Sequence, residues 1–163
     1  MKSKDRLYIA YGSNLNVRQT GWRCPGARIV GTSEIKGWRL LFRGSRTGSY
    51  LIIEKSADHC VPVAIWRITA PDERNLDSYE GFPYFYYKRK FLLDVDTRDG
   101  IIRDARCFAY IMHEGRSLGT PSPRYIQTCM EGYDDFGFDV AVLDKVLEDT
   151  KVELTNNQIP LSY

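Results

Sequence analysis

The sequence predicts an α+β fold, a small mixed and mainly antiparallel β-barrel carrying a few peripheral helices. Three observations predict it. Short apolar runs recur at fairly even spacing through the first two thirds of the chain. Two longer runs, 84–96 and 101–112, flank the turn TRDG and read as one hairpin with Asp99-Gly100 at its tip. Helical signals are few, and they sit between or after the strands.

The elements follow in order. LYIA (7–10) is a first strand that runs into Tyr11, Gly12, Ser13, Asn14 and Leu15, where extended structure must stop. Further strands are predicted over 34–43, 50–54 and 61–68. Thr69, Pro71 and Asp72 open a helix over 71–79, with Leu76 and Tyr79 on one face and Gly81 as the stop. PSPRYIQTCMEG (121–132) opens on proline and closes on glycine, like a short helix. Residues 139–150 place Val140, Val142, Leu143, Val146 and Leu147 at helical spacing. No repeat, low-complexity run or linker divides the chain, so 1–163 reads as a single domain.

Composition excludes several classes. Hydrophobic residues at 43% and charged residues at 27% are globular values. Eleven tyrosines suggest amphipathic side chains lining something partly wet. The net charge of +2 argues neither for nor against an anionic partner. Cys24, Cys60, Cys107 and Cys129 lie far apart, with only His59 and His113 to help them, so the pattern offers no metal site. No apolar leader or membrane-length run is present, and the expectation is a cytoplasmic protein with reduced thiols and no cofactor.

Two stretches carry chemistry. After Tyr11, Gly12 accepts backbone angles closed to other residues. Ser13 and Asn14 satisfy their own backbone locally and leave N–H groups pointing outward, which suits a carboxylate or a developing oxyanion. The alternative is a plain turn. The second stretch is LDSYEGFPYFYYKRKF. Glu80 falls at the negative end of the 71–79 helix, beside Phe82, Tyr84 and Phe85. Dipole and desolvation both push such a carboxyl toward the range used in general acid/base work. Here the alternative is a surface glutamate beside a capping glycine. In the following strand Tyr87, Arg89, Phe91, Leu93 and Val95 share the apolar, inward face. Arg89 needs a partner there, which Glu80, an anionic ligand or a structural aspartate would supply.

YIAYGSNLN, YEGFPYFYYKR and PSPRYIQTCMEG together resemble the gamma-glutamylcyclotransferase-like family, in that family's order and over roughly residues 7–138. PSPRYIQTCMEG looks close to the vertebrate-type enzymes of the glutathione pathway, whereas YEGFPYFYYKR looks closer to the smaller gamma-glutamylamine-type members. One departure is EGYDDFGFD, where Tyr133 and Phe138 replace a Gly-Ala then Gly-Leu-Pro pattern. The resemblance implies release of 5-oxoproline from a small-molecule gamma-glutamyl amine or dipeptide, with no metal or cofactor. It further implies Glu80 as the acid/base group and substrate contacts from Tyr11, Gly12, Ser13, Asn14 and Leu15. By analogy with the family's tyrosines, Tyr125 and Tyr87 shape the pocket, with core packing as their alternative. RGSRTGS (43–49) reads either as a loop covering the site or as a surface connection.

Other functions remain open at this level. YFYYKRKF interleaves aromatics with Lys88, Arg89 and Lys90, a pattern that small barrels use to bind single-stranded nucleic acid. The small net charge argues against that and for no nucleic-acid partner. A domain that binds gamma-glutamyl ligands without turnover is the third reading. The expected assembly is a monomer or homodimer, with no membrane partner.

Overall fold

The computed structural model describes residues 5–45 and 48–158. Strand β1 (Arg6–Ala10) leads into a 3-10 turn (Ser13–Leu15) and helix α1 (Val17–Arg23). Two long strands follow, β2 (Arg28–Ser45) and β3 (Gly48–Ile68), then α2 (Ala70–Glu80). The rest is β4 (Tyr86–Thr97), β5 (Gly100–Met112), the short β6 (Ser117–Leu118), α3 (Pro123–Asp135) and α4 (Ala141–Gln158).

The chain is α+β, as expected. Its six strands form one sheet in the order β3-β1-β5-β4-β2-β6, and β3 also pairs with β2. The pairings therefore return to their starting strand and make the sheet ring-like. Only β1 and β5 run parallel, through Leu7 opposite Cys107 and Tyr8 opposite Phe108; the other pairings are antiparallel. Ile9, Leu41, Val63, Ile65 and Phe108 are among the side chains that fill the interior.

Several boundaries move for identifiable reasons. Segments 50–54 and 61–68 belong to one strand, β3, which continues through the mostly polar residues 56–59 opposite the break in β2 between Lys36 and Trp38. The solvated polar stretch hides the continuity, because exposed strand residues carry no apolar signal. Gly44 and Ser49 pair across β2 and β3, so most of 43–49 is strand; residues 46 and 47 lie outside the described residues. At TRDG the two turn residues are Arg98 and Asp99, and Gly100 opens β5 with φ +120°. Helix α1 escapes periodicity because it is short and buries only Thr20. Its start was nonetheless encoded: Asn16 accepts from the Gln19 N–H at 3.1 Å as an N-cap.

Helix α3 starts at Pro123, capped by Ser122, and runs through Gly132 to Asp135. Gly132 is thus no helix stop. It is where α3 meets the loop after β1: a Cβ there would lie 2.6 Å from the Asn16 nitrogen and 2.6 Å from the Leu15 carbonyl carbon. Asn16 adds to this contact by donating to the Thr128 carbonyl at 3.1 Å and to Glu131 Oε2 at 3.0 Å.

Gly132→Ala should therefore cost about 1–3 kcal/mol in urea unfolding, because backbone on both sides must yield. Gly21, inside α1, has nothing within 4 Å of its missing Cβ. Gly21→Ala should instead gain about 0.5–1 kcal/mol. Equal effects at the two glycines would contradict the packing described.

Candidate active site

Helix α2 sets the site's position. Thr69 accepts from the Asp72 N–H at 3.3 Å while Asp72 Oδ2 takes the Thr69 N–H at 3.0 Å, a reciprocal capping box. Gly81, with φ +65°, ends the helix in a left-handed cap, and the Phe82 N–H returns to the Asp77 carbonyl at 2.9 Å. Glu80 is therefore the last helical residue, and its side chain turns into a cavity of about 450 Å³.

The opposite wall is the loop after β1. The Leu15 N–H donates to the Gly12 carbonyl and the Asn16 N–H to the Ser13 carbonyl, each at 3.0 Å. Among the described residues no acceptor takes the N–H of Ser13 or Asn14, the open start of a helical turn. Both residues are buried and line the cavity. The Asn14 amide joins the two walls: its Nδ2 donates to the Tyr8 hydroxyl at 2.8 Å and to Glu80 Oε1 at 3.3 Å. Arg23 donates to its Oδ1 from the far side. Ser13 Oγ lies 3.1 Å from the Tyr79 hydroxyl. Beneath Gly12, a Cβ would meet the Tyr125 hydroxyl at 3.3 Å and Leu51 Cβ at 3.4 Å. That hydroxyl accepts the Leu51 N–H at 3.1 Å.

Six of the sequence-derived candidates lie on this cavity: Tyr11, Gly12, Ser13, Asn14, Glu80 and Tyr125. Three do not. Leu15 is fully buried under the turn, and its N–H is used to close that turn. Tyr87 packs on His113, with ring centroids 5.2 Å apart. Arg89 stacks on Trp38 and Phe91, 5.0 and 5.6 Å from their ring centres, and its Nε has no hydrogen-bond partner among the described residues. Its neighbours are thus aromatic rings, not Glu80 and not an aspartate.

Tyr86, at the opposite parity, is the β4 residue on the cavity. The apolar face does bury Leu93 and Val95, but the cavity lies on the opposite face of β4, which α2 covers. Lys88 bonds Glu73 at 2.9 Å and Asp77 at 2.8 Å on that helix. Of the basic cluster at 88–90, Lys88 is thus paired and Arg89 stacked, which leaves Lys90 exposed. Sequence reasoning also missed Tyr8, Tyr50, Tyr79 and Tyr110. The signal that pointed to them was composition: seven of the eleven tyrosines line this one cavity. Their order along the chain could not reveal it, since they come from six different elements and the loop after β1.

The electrostatics single out one group. Burial pushes the Glu80 carboxyl up from its ordinary 4.5 to about 7, while the nearby Arg23 cation acts against that rise. Burial also pushes Tyr8, Tyr11, Tyr86, Tyr110 and Tyr125 above the ordinary phenol value, so they stay neutral. The site can therefore move one proton near neutral pH, beside two free backbone N–H donors.

Comparison with known proteins points to one family. The model of the family "Gamma-glutamyl cyclotransferase, AIG2-like" matches residues 8–128. The gamma-glutamylcyclotransferase of Mus musculus is 28% identical over 138 residues, covering 80% of this chain and 71% of that protein. Its Homo sapiens counterpart is 26% identical over 147 residues, covering 86% and 76%. A solved structure described as a gamma-glutamyl cyclotransferase superposes with a TM-score of 0.74 at 25% identity, over 87% of this chain and 86% of that one. No helix among the described residues is long and apolar enough to cross a membrane.

The raised Glu80 carboxyl makes folding pH-dependent. Below about pH 4.5 the group is protonated in both folded and unfolded chains and has no effect. As pH rises from 4.5 to about 7 the unfolded chain loses its proton first, so stability falls; above 7 the full cost remains. Glu80→Gln keeps the shape without the charge. It should exceed the parent in stability by about 1–3 kcal/mol at pH 8, with the gap closing toward pH 4.5. Urea unfolding at several pH values measures this, and a gap independent of pH would contradict it.

Proposed function

The chain belongs to the gamma-glutamyl cyclotransferase, AIG2-like family, and we propose that it converts a gamma-glutamyl amine or dipeptide to 5-oxoproline, with Glu80 as the single acid/base group. The observation that carries this reading is the Glu80 carboxyl sharing one cavity with Ser13 and Asn14, the Asn14 side-chain amide donating to it at 3.3 Å.

In such a substrate the α-amine attacks the γ-carbonyl carbon of its own glutamyl residue. The nucleophile is already tethered, so holding it in the attacking geometry supplies much of the acceleration. Glu80 takes the proton that the α-ammonium must lose. A C–N bond closes the five-membered ring and the carbonyl oxygen becomes negative. Glu80 then gives that proton to the departing nitrogen as the oxyanion collapses and the original amide bond breaks. The second proton that the ring nitrogen must shed passes through the same carboxyl to the freed amine, giving 5-oxoproline and an ammonium product. A carboxyl near 7 is suited to both transfers at neutral pH. The N–H groups of Ser13 and Asn14 supply donors for a negatively charged substrate oxygen. The surrounding phenols exclude bulk water while still offering hydrogen bonds.

Glu80→Gln should lower turnover by about 10²–10⁴-fold while KM changes little. A panel of gamma-glutamyl dipeptides, glutathione and gamma-glutamyl-ε-lysine, assayed for 5-oxoproline by mass spectrometry, tests both residue and reaction. Near-parent turnover in the variant would remove Glu80 from the mechanism. Tight binding of the panel by the parent protein, with no product released, would favour the non-catalytic reading.

A further inference from the structure

Arg23, on α1, lies outside every sequence-derived candidate and does not line the cavity. It nonetheless touches two of the residues that do. Its guanidinium donates to Asn14 Oδ1, and its central carbon lies 3.4 Å from the centre of the Tyr79 ring. Tyr79 is held in turn by Ser13 Oγ.

An asparagine amide can face either way, and its two ends differ only in chemistry. A guanidinium has no acceptor, so it pairs with the amide oxygen and not with the nitrogen. Arg23 therefore forces Nδ2 toward the cavity, where it donates to Tyr8 and to Glu80 Oε1. With the amide reversed, Oδ1 would face the carboxylate and Nδ2 would face a cation, repulsive on both sides. Stacking on Tyr79 fixes the plane of the guanidinium.

The geometry points to Arg23 as a positioning residue that selects the Asn14 amide orientation and sets a fixed cation one side chain behind the Glu80 carboxylate. This rests on Glu80 being the acid/base group. Among the described residues, Tyr8 and Tyr11 from the β1 side and Tyr86 of β4 interact with that carboxylate. Tyr50, Tyr79, Tyr110 and Tyr125 line the same cavity, and Asp77 lies one turn back on α2. Asp77 is engaged by Lys88 and Tyr110. Arg23 is the cation whose charge opposes the effect of burial on Glu80.

Two variants separate charge from shape. Arg23→Gln keeps a neutral donor for Asn14 Oδ1 but removes the cation. The acid limb of its kcat/KM profile should rise by about one pH unit, with kcat/KM at pH 7 down about fivefold and largely regained at pH 9. Arg23→Lys keeps the charge without the planar fork. Its acid limb should stay with the parent's while kcat falls at every pH. Rates are referred to the folded fraction measured by thermal unfolding. Unchanged limbs and unchanged kcat in both variants, with only the melting temperature lowered, would make Arg23 merely structural and overturn the inference. An inactive Glu80→Gln alongside such results leaves the reaction standing and removes Arg23 alone. Near-parent turnover in Glu80→Gln overturns the reaction itself.

Discussion

Everything at the candidate site depends on how the chain is held just after β1. The Leu15 and Asn16 N–H groups close a single 3-10 turn, and isolated turns of that kind are weak. This one is clamped by its surroundings. Thr20 Oγ1 donates to the Asn14 carbonyl at 2.9 Å, Asn16 caps α1 and bonds α3, and Gly132 lets α3 rest directly on the turn's backbone. The clamp matters because, among the described residues, the N–H groups of Ser13 and Asn14 have no acceptor, although both residues are buried. Such groups are costly to bury, so the packing around them must be secured by contacts elsewhere.

Helix α2 shows how one element separates structural from chemical acids. Glu73 and Asp77 face Lys88, with bonds at 2.9 and 2.8 Å, and Arg6 adds a second cation to Glu73 at 2.7 Å. These pairs pin the helix against β4 and β1. One turn later Glu80 meets an amide and phenols, with no cation at bonding distance among the described residues. Paired carboxylates hold the helix in place, and the unpaired one is left free to exchange a proton. The same helix therefore fixes the position of the group whose charge changes in the proposed reaction.

The fold was legible wherever one face of an element was apolar and the other was not. The class, the β4–β5 hairpin, α2 with its cap and the start of α4 all follow from such patterns. Legibility failed where that asymmetry failed. β3 passes through exposed residues at 57–60, α1 buries little beyond Thr20, and β4 is covered on its polar face by a salt-bridged helix. The last case moved the cavity residue from Tyr87 to Tyr86 and gave Arg89 aromatic neighbours. Within the site, the contiguous loop and Glu80 could be found because local chemistry marks them. Tyr8, Tyr50 and Tyr110 could not, because only β pairing between distant segments brings them together.

A wall of phenols suits a cavity with a single acid. Burial holds Tyr8, Tyr11, Tyr86, Tyr110 and Tyr125 in their neutral form, so each can donate or accept without adding charge. Apolar walls of the same size would desolvate Glu80 equally but leave a polar substrate without partners. Charged walls would hold the substrate and pull the carboxyl away from neutrality. Phenols avoid both faults, and they leave the proton balance of the site to Glu80 and to the cation that Arg23 places behind Asn14. In the proposed reaction that division is what allows one carboxyl to accept a proton and return it within a single turnover.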